Sequence, residues 1–164
     1  MLAPPFDRFP ELIGSTITLR QVQEADVPDI LDISFFDGYL AVTAEEARAI
    51  IQRIHETYLH GTAIHWGIAS HKNNQIVGTC GYYRGFAADA GELGFILKAE
   101  HQGNGYMREA LTLAINYGLH SLQLKRIWAR TAHNNLAAIG LLERLGFVKK
   151  ERTGDWLIYD YENR

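Results

Sequence analysis

The stretch ELGFILKAEHQGNGYMREA, Glu92 to Ala110, decides the fold. Glu92 to Leu97 is rich in strand formers. From Met107 the apolar and small residues at 107, 110, 111, 114, 115, 118 and 122 follow three-and-four spacing, one stripe of a helix running to about Leu122. A strand therefore passes through a Gly-x-Gly loop, Gly103 and Gly105, into a long helix. The first turn of such a helix has unpaired N–H groups and a partial positive charge, and the glycines remove side chains that would hold a phosphate away from the backbone. A pyrophosphate fits there, with Arg108 adding charge of the correct sign, although a Gly-x-Gly turn also serves as an ordinary strand-to-helix connection.

Working outward, Thr16 to Arg20 alternates as a short strand, and Glu24-Ala25-Asp26 opens a helix through about Phe35. Thr43 with Glu46 three residues on forms a capping box for a second helix through Tyr58, closed by Gly61. Ile64 to Ser70 and Gln75 to Tyr83 read as a hairpin around His71 to Asn74. Beyond the central stretch come a strand from Arg126 to Thr131, a helix from Asn135 to Leu145 ended by Gly146, and a closing hairpin, Phe147 to Arg152 with Trp156 to Tyr161. The order β-α-α-β-β-β-α-β-α-β-β describes an α/β or α+β single domain with helices packed on a mixed sheet.

Composition agrees: 164 residues, 47% hydrophobic and 21% charged, suffice for one core, without a run near the roughly 18 apolar residues of a membrane span. Met1 to Pro10 lacks the build of a secretory signal, and Cys80, the only cysteine, excludes an internal disulfide and multi-cysteine metal sites, so a cytoplasmic location is expected. The formal charge of −3 does not suggest nucleic-acid binding. Its distribution says more. Residues 1 to 60 carry ten acids against four Lys or Arg, and residues 61 to 164 carry nine against twelve, so a polyanionic ligand suits the second part and a cationic partner the first.

A dinucleotide fingerprint needs a third small residue and an acid about 20 residues further on, whereas the third position here is Arg108 and the first acid after Glu109 is Glu143. His55 and His60 stand five residues apart, which turns them about 140° away from a shared helix face, so no metal site is read there. His101 and His133 flank the loops of interest, Cys80 lies in a strand with no matched base, and Phe35, Phe36, Tyr39 and Trp66 read either as an acceptor site or as core. Asn135 is first of all an N-cap and Gly146-Phe147 a C-cap with its apolar anchor.

Gln102-Gly103-Asn104-Gly105-Tyr106-Met107, followed about thirty residues later by Asn135 and by Leu142-Glu143-Arg144-Leu145-Gly146-Phe147, resembles the GNAT family of acetyl-CoA-dependent N-acetyltransferases, most closely its ribosomal-protein N-terminal acetyltransferase branch. Met107 stands where the family usually has a small residue. The resemblance implies a mostly antiparallel sheet of about six or seven strands with about four helices. Residues 92–147 would form the acetyl-CoA-binding core, and residues 1–14 an N-terminal extension. It further implies that Phe95, Ile96 and Leu97 pair through their backbone with the pantetheine amides, that amides from Gln102 to Met107 bind the pyrophosphate, and that Asn135 contacts the pantetheine arm. Arg108, Arg144, Lys149 and Lys150 are candidates for the coenzyme's phosphates.

Glu92 is the expected base for an amine acceptor, a protein N-terminus or a small cationic amine, and a backbone N–H near Phe95 or Ile96 the expected oxyanion donor. The family's usual acids, Ser three and Tyr seven residues after the Asn, are replaced by Ala138 and Leu142. Water, Tyr82, Tyr83 or Tyr106 then supplies the proton, or the thiolate leaves unaided. Those absences also fit a catalytically weak acyl-CoA-binding module. A monomer and a homodimer are both compatible with the sequence.

Overall fold

The computed structural model describes residues 1–162. The chain runs through β1 (Leu12–Ile13), β2 (Ile17–Arg20), a short α1 (Val27–Ile30) between the 3-10 turns Glu24–Asp26 and Leu31–Ile33, β3 (Phe35–Phe36), β4 (Tyr39–Leu40) and α2 (Ala44–Leu59). It continues as β5 (Ile64–Ser70), β6 (Ile76–Tyr83), β7 (Ala90–Leu97), α3 (Tyr106–His120), β8 (Arg126–Ala132), α4 (Leu136–Arg144), β9 (Phe147–Thr153) and β10 (Trp156–Tyr161). One eight-stranded sheet has the order β1-β2-β5-β6-β7-β8-β10-β9. Every neighbouring pair in it is antiparallel except β7 and β8. The expected six or seven strands gain an eighth because β1, only two residues long, pairs Leu12 with Leu19 and Ile13 with Thr18.

The apolar stripe of α3 behaves as its spacing predicts: Met107, Ala110, Leu111, Ala114, Ile115, Gly118 and, past the helix end, Leu122 are all buried. It packs on one face of the sheet with Ile64, Trp66, Ile68 and Leu93. A β-carbon at Gly118 would collide with Tyr82, whose hydroxyl donates to the Ala114 carbonyl at 2.9 Å. The opposite face is covered by α1, the 3-10 turn after it and α2 through Ile30, Ile33 and Ile51, which pack with Ala69, Ile76 and Ile96 of the sheet. Thr43 caps α2 as expected: its hydroxyl accepts from the Glu46 amide at 3.2 Å, and the Glu46 carboxylate accepts from the Thr43 amide at 3.1 Å.

The helix expected through Phe35 is replaced by about three turns of mixed 3-10 and α geometry, Glu24 to Ile33, and a small hairpin. Ile30 leaves helical geometry at φ −108°, Ser34 is extended, and Asp37 and Gly38 both take left-handed backbone angles, a type I′ turn joining β3 to β4.

Arg20 of β2 holds the first of these 3-10 turns in place with two 2.8 Å bonds to the Asp26 carboxylate. Burial works to raise the Asp26 carboxyl, but the bonds from Arg20 and from the Gln23 amide outweigh it and hold the group below its ordinary range. A carboxyl lowered in the folded state adds stability that is present above its unfolded pKa of about 4 and is lost as the pH falls through the folded value. Asp26→Asn is therefore expected to cost about 3 kcal/mol at pH 7 and much less at pH 3, measured by urea unfolding at both. An equal loss at both pH values contradicts this account.

Candidate active site

β7 stays paired with β6 along Glu92 to Leu97, but it pairs with β8 only at Ala90, Gly91 and Glu92. Past Leu93 the two parallel strands separate. The Lys98 amide donates to Val77 of β6 at 3.0 Å. Because N–H groups alternate sides along a strand, the Ile96 amide also turns toward β6, the Leu93 amide closes the last pairing with β8, and those of Phe95 and Leu97 face the gap. Of the two residues expected near an oxyanion, Phe95 has the correct orientation.

The gap leads to the loop before α3. Gly103 and Gly105 adopt φ of +81° and +77°, and a β-carbon on either would point into open space. Gln102 and Gly103 form a turn that closes at Asn104, and among the described residues no backbone carbonyl accepts from the amides of Gly105 to Arg108. Asn104 braces the loop by donating its side-chain amide to the His101 carbonyl at 3.1 Å. Arg108 is exposed, with no ion-pair partner among the described residues. Free amides, two left-handed glycines and an interior strand whose β8 side opens past Leu93 suit a pyrophosphate joined to an extended amide-bearing arm, so the residues fit coenzyme A.

Asn135 caps α4, its side-chain oxygen accepting from the Ala138 amide at 3.2 Å, and its NH2 group remains available. Lys149 and Lys150 lie on β9, the outermost strand and two strands beyond β8, and Lys150 pairs with Glu162. Arg144 folds its guanidinium over Gly140. Of the four basic candidates only Arg108 borders the loop.

Glu92 is buried, 6% exposed, where β7 and β8 still pair. Its carboxylate meets Arg84 at 2.5 Å and Arg130 at 3.8 Å. Ala138 and Leu142 are buried, so α4 offers no hydroxyl at either position. The three tyrosines part ways. Tyr82 is fully buried with its hydroxyl spent on Ala114, and Tyr106 is buried at the start of α3. Tyr83 instead lines a cleft on the α1/α2 face. Its ring lies across Gly94, where a β-carbon would overlap it, and 5.4 Å from the His65 ring. Burial pushes the Tyr83 hydroxyl well up and the His65 imidazole down to about 4, so both are neutral at pH 7.

That cleft encloses about 990 Å³ and reaches Phe95 and Ile96 on β7 and Trp156 at the start of β10. Phe35 and Phe36 line it, whereas Tyr39 bonds Glu46 on the surface and Trp66 is core on the other face. Four of the ten acids of the N-terminal part have partners within the protein: Asp26 in Arg20, Glu24 in Arg48, Asp32 in Lys98, and Glu46 as a cap. Arg84, Arg130, His65 and Tyr83 were not singled out together by sequence because only the register of β5 to β8 gathers them.

A family model described as an acetyltransferase (GNAT) domain matches residues 16–148. The N-acetyltransferase p20 of Bacillus licheniformis, described as uncharacterised, is 32% identical over 92% of this chain and 86% of its own length. The [ribosomal protein uS5]-alanine N-acetyltransferase of Escherichia coli is 33% identical over 69% of this chain and 59% of its own. Among solved structures, a ribosomal L7/L12 alpha-N-protein acetyltransferase in complex with coenzyme A superposes with a TM-score of 0.77 at 20% identity, covering 92% of this chain and 97% of that one.

Proposed function

The chain belongs to the GNAT acetyltransferase family and is an N-acetyltransferase, and we propose that it moves the acetyl group of acetyl-CoA to a primary amine by direct attack in a ternary complex. The observation that carries the reading is the run of free amides from Gly105 to Arg108, beyond the end of a strand whose edge toward β8 is open past Leu93. Those amides hold the pyrophosphate, Arg108 adds a charge, and the Phe95 carbonyl and Leu97 with the Asn135 amide take the pantetheine arm. A bound thioester supplies an activated carbonyl and a thiol leaving group.

Glu92 takes one proton from the incoming ammonium through water, and the freed nitrogen attacks the acetyl carbon. The Phe95 amide donates to the developing oxyanion. The C–S bond then breaks as the nitrogen gives up its second proton to water, and the sulfur leaves as a thiolate, whose ordinary pKa near 8.5 requires no strong acid. Tyr83, which keeps its proton, serves this sulfur as a hydrogen-bond donor. The acceptor enters from the cleft on the α1/α2 face, whose size suits an N-terminal segment better than a small cation.

Acetyl-CoA at a hundred times its dissociation constant should add about 2.7 kcal/mol and raise the melting temperature by roughly 5–10 °C. Thiol release with an amine panel then reports transfer. No shift at millimolar acetyl-CoA overturns the reading.

A further inference from the structure

We infer that the acceptor is a primary amine carried on a bulky aromatic or branched aliphatic body, bound in the cleft between the β3–β4 hairpin and α2; this rests on the N-acetyltransferase reading above. The walls are apolar: Ile30 and Ile33 from the first helical segment, Phe35 and Phe36 from the hairpin, Ile51 and Ile54 from α2. At about 990 Å³ the cleft is at the upper end of sites that enclose a drug-sized molecule.

The charge of the lining argues against a polycation. Two acids, Glu24 and Asp37, are balanced by two arginines, Arg48 and Arg84. Glu24 is paired with Arg48 at 3.1 Å, and Arg84 with Glu92. Asp37 sits at the hairpin tip and is, among the described residues, the one lining carboxylate without an ion-pair partner. A ligand with several ammonium groups would surrender water in this cleft for a single carboxylate.

Polar side chains are interspersed with this apolar surface, among them Gln21, Ser34, Gln52 and His55, and one group of them lies next to the proposed reaction centre. His65, Thr79 and Tyr83 lie on the sheet floor beside Ile96, and the first and last are uncharged at neutral pH. They suit one neutral amine delivered toward Phe95, with apolar surface filling the rest. Arg53 stacks on the Phe36 ring at 4.8 Å and fixes the hairpin to α2, so the aromatic wall is built before the acceptor arrives.

The test measures thiol release from acetyl-CoA with tryptamine, spermidine, a Trp-Leu-Gly peptide amide and a Gly-Lys-Lys peptide amide. The inference expects kcat/KM at least about tenfold higher for tryptamine than for spermidine, or for the Trp peptide than for the Lys peptide. The pair that responds tells a free amine from an N-terminus. Spermidine or the Lys peptide turned over equally well overturns it, as does turnover of none of the four while acetyl-CoA still raises the melting temperature. Failure of acetyl-CoA itself to bind would instead strike the reading beneath. Phe35→Ser removes a ring that is 45% exposed and should raise KM for the preferred apolar amine about fivefold, with coenzyme affinity and melting temperature unchanged. An unchanged KM also overturns the inference.

Discussion

Glu92→Gln is expected to lower kcat about a hundredfold at pH 7 while the dissociation constant of acetyl-CoA stays within about twofold. Gln keeps the shape and can still accept from Arg84 and Arg130, but it cannot take the ammonium proton. Its defect should shrink as the pH rises from 6 to 9, because a growing share of the acceptor is already neutral. The ion pairs make a control necessary, since a carboxylate 2.5 Å from one guanidinium and 3.8 Å from another could act through structure alone. Arg84 is the exposed member, so Arg84→Ala frees one side of Glu92 with little loss of packing. If Glu92 is the base, Arg84→Ala keeps most of kcat and leaves the pH profile sloping as in the wild type. If the pair is only a brace, the two variants lose activity alike. Wild-type turnover of Glu92→Gln across pH 6 to 9 removes Glu92 from the role.

How far such roles were legible depends on the distance over which each signal acts. The capping box of Thr43 and Glu46 and the stripe of α3 are local periodicities, and both appear in the structure as read. The Asp37-Gly38 turn was equally local. Phe-Phe before it and Tyr-Leu after it are strand-forming pairs around one of the strongest hairpin dipeptides, yet the helix reading from Glu24 runs to about Phe35 and assigns no strand on either side of the turn. Tyr82 and Tyr83 could not be told apart without sheet parity: one step along β6 turns a ring from the α3 core to the cleft. The basic candidates divided for a similar reason. Lys149 and Lys150 are close in sequence to the Leu-Gly-Phe motif but belong to the outermost strand, and only the strand order tells how far that is from the gap.

Charge balance shows the same limit. The acid-rich first sixty residues suggested a cationic partner, but Asp26, Glu46 and Asp29 hold the chain itself, the last by accepting from the Ile76 amide at 3.3 Å. Net charge along a sequence counts such carboxylates as free. In the fold they position α1, α2 and the hairpin, and so shape the apolar cleft from which the acceptor is inferred.

Gly105→Val is expected to weaken acetyl-CoA binding about a hundredfold, the equivalent of losing one or two hydrogen bonds to a charged group. Gly105 sits at φ +77°, where a β-branched residue costs about 1–3 kcal/mol. The protein leaves room for the added side chain, so no collision forces the fold apart. Its methyl groups instead occupy the space onto which the loop amides open. Gly154 supplies the matched control: it is also left-handed, at φ +60°, also faces open space, and lies in the β9–β10 turn, outside the loop that joins β7 to α3. Gly154→Val should lose a similar amount of stability and bind acetyl-CoA normally. Calorimetric titration and urea unfolding of both variants separate the two effects. If both lose affinity in proportion to stability, the glycine loop is only a connection between β7 and α3. If Gly105→Val alone loses it, the amides of that loop are the phosphate site.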